Sequence, residues 1–84
     1  MKTNVNVLFK RLGDDIVLFH LDTDRFYELN GTAARFWELL HHNPDVAHVR
    51  TQMLEEFDVA PDQLAAEAET LLTFLKKEDL VTVQ

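Results

Sequence analysis

The fold follows from residues 21–40, which carry the sequence LDTDRFYELNGTAARFWELL. Residues 22–24 have the composition of a turn, and residues 25–29 form a short β-rich run in which one side chain after another points to opposite faces. Asn30 and Thr32 are both suited to be the N-cap of a helix, and the apolar residues that follow recur at helical spacing. This stretch therefore predicts a strand that leads directly into a helix.

Two further strands are predicted before this junction. Residues 5–11 (VNVLFKR) form a short β-rich run, and residues 16–21 (IVLFHL) are almost continuously apolar, as in a strand covered on at least one face. Residues 12–15 (LGDD) between them have turn chemistry. Because all the connections are short, the pattern favours an antiparallel meander of three strands.

After residue 30 the sequence predicts three helices, at about residues 31–42, 46–57 and 61–78. Pro61 stands at the first turn of the third helix, where its missing N–H costs nothing. The predicted fold class is α+β, with a three-stranded antiparallel sheet followed by three helices in a winged-helix-like arrangement. Residues 1–84 are expected to form a single domain, because a chain of this length buries only one thin core.

Phe74 is the large apolar residue of the third helix that helical spacing leaves off the buried face. It falls on the same flank as Glu67 and Glu78. Phe74 therefore either lines a groove or packs against the C-terminal tail. The acidic residues Glu67, Glu69 and Glu78 either meet a basic partner or lie in solvent. The residues expected on the buried helical faces are Ala33, Ala34, Phe36, Trp37, Leu40, Val46, Val49, Met53, Leu54, Phe57, Leu64, Ala68, Leu71, Leu72 and Leu75.

Composition disfavours several classes of partner. The chain has 84 residues, of which 15 are acidic and 8 basic, for a formal net charge of −7. Nucleic acids and anionic membranes are poor partners for such a chain, because proteins bind these anionic partners mainly through Lys and Arg side chains. A neutral or basic peptide fits better. The absence of cysteine, of a long apolar run and of a secretory signal predicts a cytoplasmic protein.

The sequence offers no catalytic, metal or cofactor site. Its four histidines form no HExxH pattern, and its two glycines, Gly13 and Gly31, are too isolated for a phosphate-binding loop. The adjacent carboxylates at residues 14–15 and 55–56 are typical of solvated turns and helix faces. We therefore expect a binding module and not an enzyme.

At residues 21–40 the chain resembles the PqqD family, also called the RiPP recognition element. The family pattern L-D-x-x-x-x-Y-x-L-N-x-x-A-x-x-x-W-x-L-L is matched without a gap. Later segments also agree, so the resemblance extends over about residues 15–83. Asp24 and Asp79 stand where the family usually has glycine. Both positions are expected to adopt a left-handed backbone, which Asp tolerates better than most residues.

The resemblance implies that the leader segment of a ribosomally made precursor adds as an antiparallel strand to the third strand, in a groove against the third helix. Main-chain hydrogen bonds then supply affinity and side-chain pockets supply specificity. The peptide-binding residues expected on this basis are Arg25, Phe26, Tyr27, Glu28, Leu29, Glu67, Thr70, Leu71 and Phe74.

Several functions remain open at this point. The favoured one is lasso-peptide maturation, in which the protein presents the leader to a peptidase, a cyclase or another modifying enzyme. A second is delivery of a precursor to a radical SAM enzyme in pyrroloquinoline quinone biosynthesis. A winged-helix DNA-binding regulator and an enzyme subunit that binds no leader are alternatives of other classes. The protein is expected to be a monomer or a strand-exchanged dimer, since exposed edge strands invite pairing.

Overall fold

The computed structural model describes residues 1–83, in which five strands and three helices are formed. Within these residues, no helix has both the length and the apolar character needed to cross a membrane. The elements in chain order are β1 (Lys2–Thr3), β2 (Val7–Leu12), β3 (Asp15–His20), β4 (Arg25–Leu29), α1 (Gly31–His42), α2 (Val46–Glu56), α3 (Pro61–Lys77) and β5 (Val81–Thr82).

The predicted α+β class and the antiparallel meander are confirmed, since the main sheet has the order β2-β3-β4 with both pairs antiparallel. The first strand of this sheet begins at Val7 and not at residue 5. The backbone N–H of Val7 bonds to the carbonyl of Asn4 at 3.0 Å, and the side chain of Asn4 accepts from the N–H of Asn6 at 2.9 Å. A turn over residues 4–7 therefore precedes the strand.

The sequence did not predict the small second sheet. In it β1 pairs antiparallel with β5, so that Lys2 lies beside Thr82 and Thr3 beside Val81. The side chain of Asn4 adds a 2.9 Å hydrogen bond to the carbonyl of Asp79. The first and last segments of the chain are therefore joined.

The core lies between one face of the main sheet and the three helices. Ile16, Leu18 and His20 alternate along β3 and are fully buried, as the period of a strand requires. The buried helical residues are Ala34, Phe36, Trp37, Leu40, Val49, Met53, Leu64, Ala68 and Leu75. Half-buried residues pack around them, namely Ala33, Leu39, Val46, Phe57, Leu71 and Leu72.

The prediction that Leu54 is a core residue is wrong. Its side chain is 37% exposed, whereas Met53 is 1% exposed. Neighbouring residues of a helix are rotated by about 100°, so the face that buries Val49 and Met53 turns Leu54 toward solvent.

The opposite face of the main sheet, which we call the outer sheet face, is apolar and uncovered. The cross-strand register places Leu8, Phe19 and Phe26 in one row across the three strands. Leu8 and Phe26 are exposed, and the rings of Phe19 and Phe26 lie 4.6 Å apart. Leu12 adds a further exposed apolar side chain to this side of β2.

Two arginines tie β2, α1 and α2 together. Arg11 donates from Nε and Nη2 to Glu38 at 2.7 Å each, and Arg35 donates from Nε and Nη2 to Glu56 at 2.7 and 2.9 Å. Such paired bonds are among the stronger charge-assisted contacts. The bonds from Arg35, supported by Gln52, lower the pKa of Glu56 to about 2.

Both aspartates that replace glycine adopt the expected left-handed backbone, with φ of 59° at Asp24 and at Asp79. After α3, the N–H of Leu80 bonds to the carbonyl of Leu75 at 2.8 Å and that of Asp79 to Lys76 at 3.1 Å. This pair of bonds is the Schellman pattern of helix ends. The turn sends the chain back toward β1.

Candidate functional site

One edge of the main sheet is open beside α3. β4 pairs with β3 on one side, and no strand of residues 1–83 pairs with its other side. An edge strand of this kind presents main-chain N–H and C=O groups for pairing with another chain. β2 forms the opposite edge of the sheet, but the contacts to α3 described below come from β4.

The side chains of β4 point in two directions. Phe26 is 72% exposed and lies beside Phe19 on the outer sheet face. Tyr27 and Leu29 turn to the helix side, where Leu29 is buried in the core and Tyr27 is half-buried. Directly after β3 the N–H of Leu21 bonds to the carbonyl of Asn6 at 2.9 Å, so the alternation of a strand turns the backbone groups of His20, Leu18 and Ile16 toward β4. Their partners in β4 are Arg25, Tyr27 and Leu29, so of the five residues predicted in this strand Phe26 and Glu28 offer their backbone to a partner at the free edge.

A shallow depression on α3, which we call the α3 depression, brings together the four residues predicted there. It has a volume of about 420 Å³ and is lined by Ala66, Glu67, Thr70, Leu71 and Phe74. Phe74 is 39% exposed, so its ring lines this surface and is not enclosed by the C-terminal tail. Ala66 was missed because its small side chain gives no signal in the sequence.

A second depression of about 230 Å³, which we call the junction depression, continues from the first and shares Glu67 and Leu71 with it. Sequence reasoning missed this feature, because its walls come from three helices and only the folded chain brings them together. Its other lining residues are Thr32, Ala33, Phe36, Met53, Leu64 and Ala68.

We call the surface between β4 and α3 the groove. Hydrogen bonds join its two sides at the end near Arg25. The hydroxyl of Tyr27 donates to Oε1 of Glu78 at 2.7 Å, and Nη1 of Arg25 donates to the same oxygen at 3.2 Å. The ring of Tyr27 meets that of Phe74 edge-on at 5.9 Å. The hydrogen bond from Tyr27 is the main cause that lowers the pKa of Glu78, and Arg25 adds to it, against the opposing effect of burial.

The buried side chain of His20 has a structural role, because it bonds to two turns of the chain. Its Nδ1 accepts from the N–H of Asp22 at 3.1 Å, so the ring proton is on Nε2, which lies 3.1 Å from the carbonyl and 3.2 Å from Oδ2 of Asp79. The ring thereby joins β3 to the turn after α3. Within residues 1–83 no three His, Asp or Glu side chains are grouped so that they hold a metal ion.

The fold is shared with a known protein structure. No curated protein matches the chain. Among solved structures, the fold is similar to that of TbiB1 in complex with the TbiA(beta) leader peptide, with a TM-score of 0.94, 23% identity, and coverage of 100% of this chain and 98% of that chain. At this identity the likeness shows the fold. Residues 15–81 match the family described as "Coenzyme PQQ synthesis protein D (PqqD)". The chain therefore belongs to the PqqD family.

Proposed function

We propose that this protein is a non-catalytic module that binds the leader segment of a ribosomally synthesised precursor peptide and presents it to processing enzymes. The observation that carries the proposal is the open edge of β4 beside an apolar depression on α3. The leader adds as an antiparallel strand to Arg25–Leu29, and its groove-facing side chains contact Glu67, Thr70, Leu71 and Phe74. The similar protein TbiB1 is described in complex with a leader peptide.

Two kinds of contact divide the work in this mode of binding. Main-chain hydrogen bonds to β4 give affinity that depends little on the peptide's sequence, whereas the two depressions select its side chains. The ring of Phe74 is preorganised by its contact with Tyr27, so little conformational entropy is lost when a leader side chain packs on it.

The favoured pathway is lasso-peptide maturation, with a leader peptidase and a cyclase as the partner enzymes, acting in the cytoplasm where the precursor is made. The family description, which names coenzyme PQQ synthesis, favours a second pathway, pyrroloquinoline quinone biosynthesis. In that alternative the same groove delivers a precursor to a radical SAM enzyme. The two pathways differ in the leader and in the enzyme that binds the complex. A bound peptide and a second copy compete for the edge of β4, so a dimer paired through that edge and the peptide complex exclude each other.

Calorimetric titration with candidate leader peptides from both pathways tests the proposal, with core peptides and a DNA duplex as controls. We expect binding of one leader alone, weakened by Phe74→Ala. Leu54→Ala is the matched control, because Leu54 has a similar exposure of 37% on a helix surface away from both depressions. DNA binding that falls steeply with salt, without leader binding, would contradict the proposal and favour a winged-helix regulator.

The strand-addition mode has its own test. Methylating one peptide nitrogen at a time removes main-chain donors without changing side chains. In an added strand only alternate N–H groups point at the partner strand. We expect affinity to fall with a period of two along the leader; a helical leader bound through side chains would give no such alternation.

A further inference from the structure

We propose that the groove selects a leader with a lysine or arginine, whose cation pairs with Glu67. This inference rests on the proposed function and deepens it, since it names the chemistry of one subsite. Glu67 is the charged residue that lines both depressions, and the other lining residues are apolar except for Thr32 and Thr70. A peptide that lies along the groove therefore passes a single carboxylate between two apolar surfaces.

Glu67 is free to accept such a partner. It is exposed, and its polar contact within residues 1–83 is a 3.3 Å hydrogen bond from the neutral amide of Gln63 on the preceding turn. The other two acidic residues considered for this role differ from it. Glu78 already accepts from Tyr27 and Arg25, and Glu69 lines neither depression. The formal net charge of −7 further favours a cationic peptide over an acidic one.

The position of the basic residue in the leader follows from the direction of the elements. Glu78, directly after α3, bonds to Arg25 and Tyr27 in the first half of β4. Leu64 and Glu67, near the beginning of α3, line the junction depression together with the start of α1, which follows the end of β4. α3 therefore runs opposite to β4. A peptide antiparallel to β4 runs with α3 and passes Glu67 before Phe74.

The spacing follows from the rise of each element. Seven residues of helix from Glu67 to Phe74 rise about 10 Å, which a strand covers in about three residues. Groove-facing side chains of a strand occur at every second residue. The basic residue is therefore expected two or four positions N-terminal to the apolar residue that contacts Phe74.

Selection from a displayed library of random linear peptides tests the inference without knowledge of the natural precursor. The wild-type protein, Glu67→Gln, Glu67→Lys and the control Glu69→Gln are used as baits. We expect wild type and Glu69→Gln to enrich Lys or Arg at one fixed spacing from an apolar residue, Glu67→Gln to lose that preference, and Glu67→Lys to enrich Asp or Glu there. For a selected peptide, Glu67→Gln should lower affinity roughly two- to fivefold, as for an exposed ion pair.

The outcomes separate this inference from the function on which it rests. Peptides that lose affinity for Phe74→Ala but carry no basic preference would overturn the role of Glu67 and leave groove binding in place. A basic preference that persists in Glu67→Gln would also overturn it. Recovery of no peptides, or of peptides indifferent to Phe74→Ala, would overturn both.

Discussion

The hydroxyl of Tyr27 and the carboxylate of Glu78 meet at 2.7 Å, which joins the edge strand β4 to the residue that ends α3. Arg25 shares the same carboxylate oxygen at 3.2 Å. Two residues of β4 are thereby fixed against the helix at one end of the groove, while the rest of the edge stays open. These two bonds fix the start of β4 to the end of α3 without a bound peptide.

The hydrogen bond from Tyr27 to Glu78 predicts that Tyr27→Phe changes how stability depends on pH in the acidic range. Loss of the hydroxyl removes the main cause of the lowered pKa of Glu78, so that pKa should rise toward its ordinary value. A carboxyl with a lowered pKa stabilises the fold above its ordinary pKa and loses that effect as the pH falls through the lowered value. As the pH falls from the ordinary pKa of a glutamate to the lowered pKa of Glu78, the variant should therefore lose less stability than the wild-type protein. Carboxyl NMR titration of Glu78 measures the shift, and an unchanged pKa would contradict the role given to Tyr27.

A second pH effect concerns Arg35 and Glu56. The pKa of Glu56 is about 2, lowered from 4.5 by the bonds from Arg35 and Gln52. The pair stabilises the fold fully above pH 4.5 and loses its effect as the pH falls from 4.5 to about 2. Arg35→Met should raise the pKa of Glu56 toward 4.5 and reduce the stability at neutral pH. Arg50→Met, an exposed arginine on α2, is the control in the same NMR titration and should leave Glu56 unchanged.

The left-handed backbone at Asp79 predicts a difference between two variants. Asp79→Gly and Asp79→Ala both remove the side-chain contacts with His20 and Asn4, so they differ only in the backbone. At φ of 59° alanine is strained and glycine is not. We expect Asp79→Gly to be more stable than Asp79→Ala by about 1 kcal/mol. Urea unfolding measures the free energies, and equal values would rule out backbone strain at this turn.

Neighbouring residues of α3 should separate stability from binding. Leu75 is fully buried, and Leu75→Ala should lower the free energy of unfolding by about 2–5 kcal/mol through the cavity it leaves. Phe74 is 39% exposed, so Phe74→Ala should cost much less stability while it weakens leader binding. Thermal unfolding and calorimetric titration of the two variants check this. Equal losses of stability would mean that Phe74 is part of the core and not a surface for the peptide.

The periodicity of apolar residues in the sequence predicted much of the fold and part of the groove. The junction between β4 and α1 follows from a strand run that ends at Asn30 and a helical stripe that begins after it. Rotation of about 100° per residue also placed Phe74 on the same flank of α3 as Glu67, and both residues line the α3 depression.

The rest depended on contacts between distant segments. The junction depression forms only where α1, α2 and α3 meet, and no local sequence pattern predicts it. Strands β1 and β5 are two residues each and pair from opposite ends of the chain, so neither carries a periodic signal. The prediction that Leu54 is buried is wrong for a related reason. Its helix has apolar residues on more than one side, and only packing decides which side is buried.

The pairing of β1 with β5 has a consequence for how this domain can be built into other proteins. Lys2 and Thr82 are partners in register, and neither strand contributes a lining residue to the two depressions. A domain whose entry and exit lie side by side tolerates circular permutation and insertion into a surface loop of a host, because a short connector spans the gap. Grafting it into another protein in this way should leave the two depressions and the edge of β4 intact.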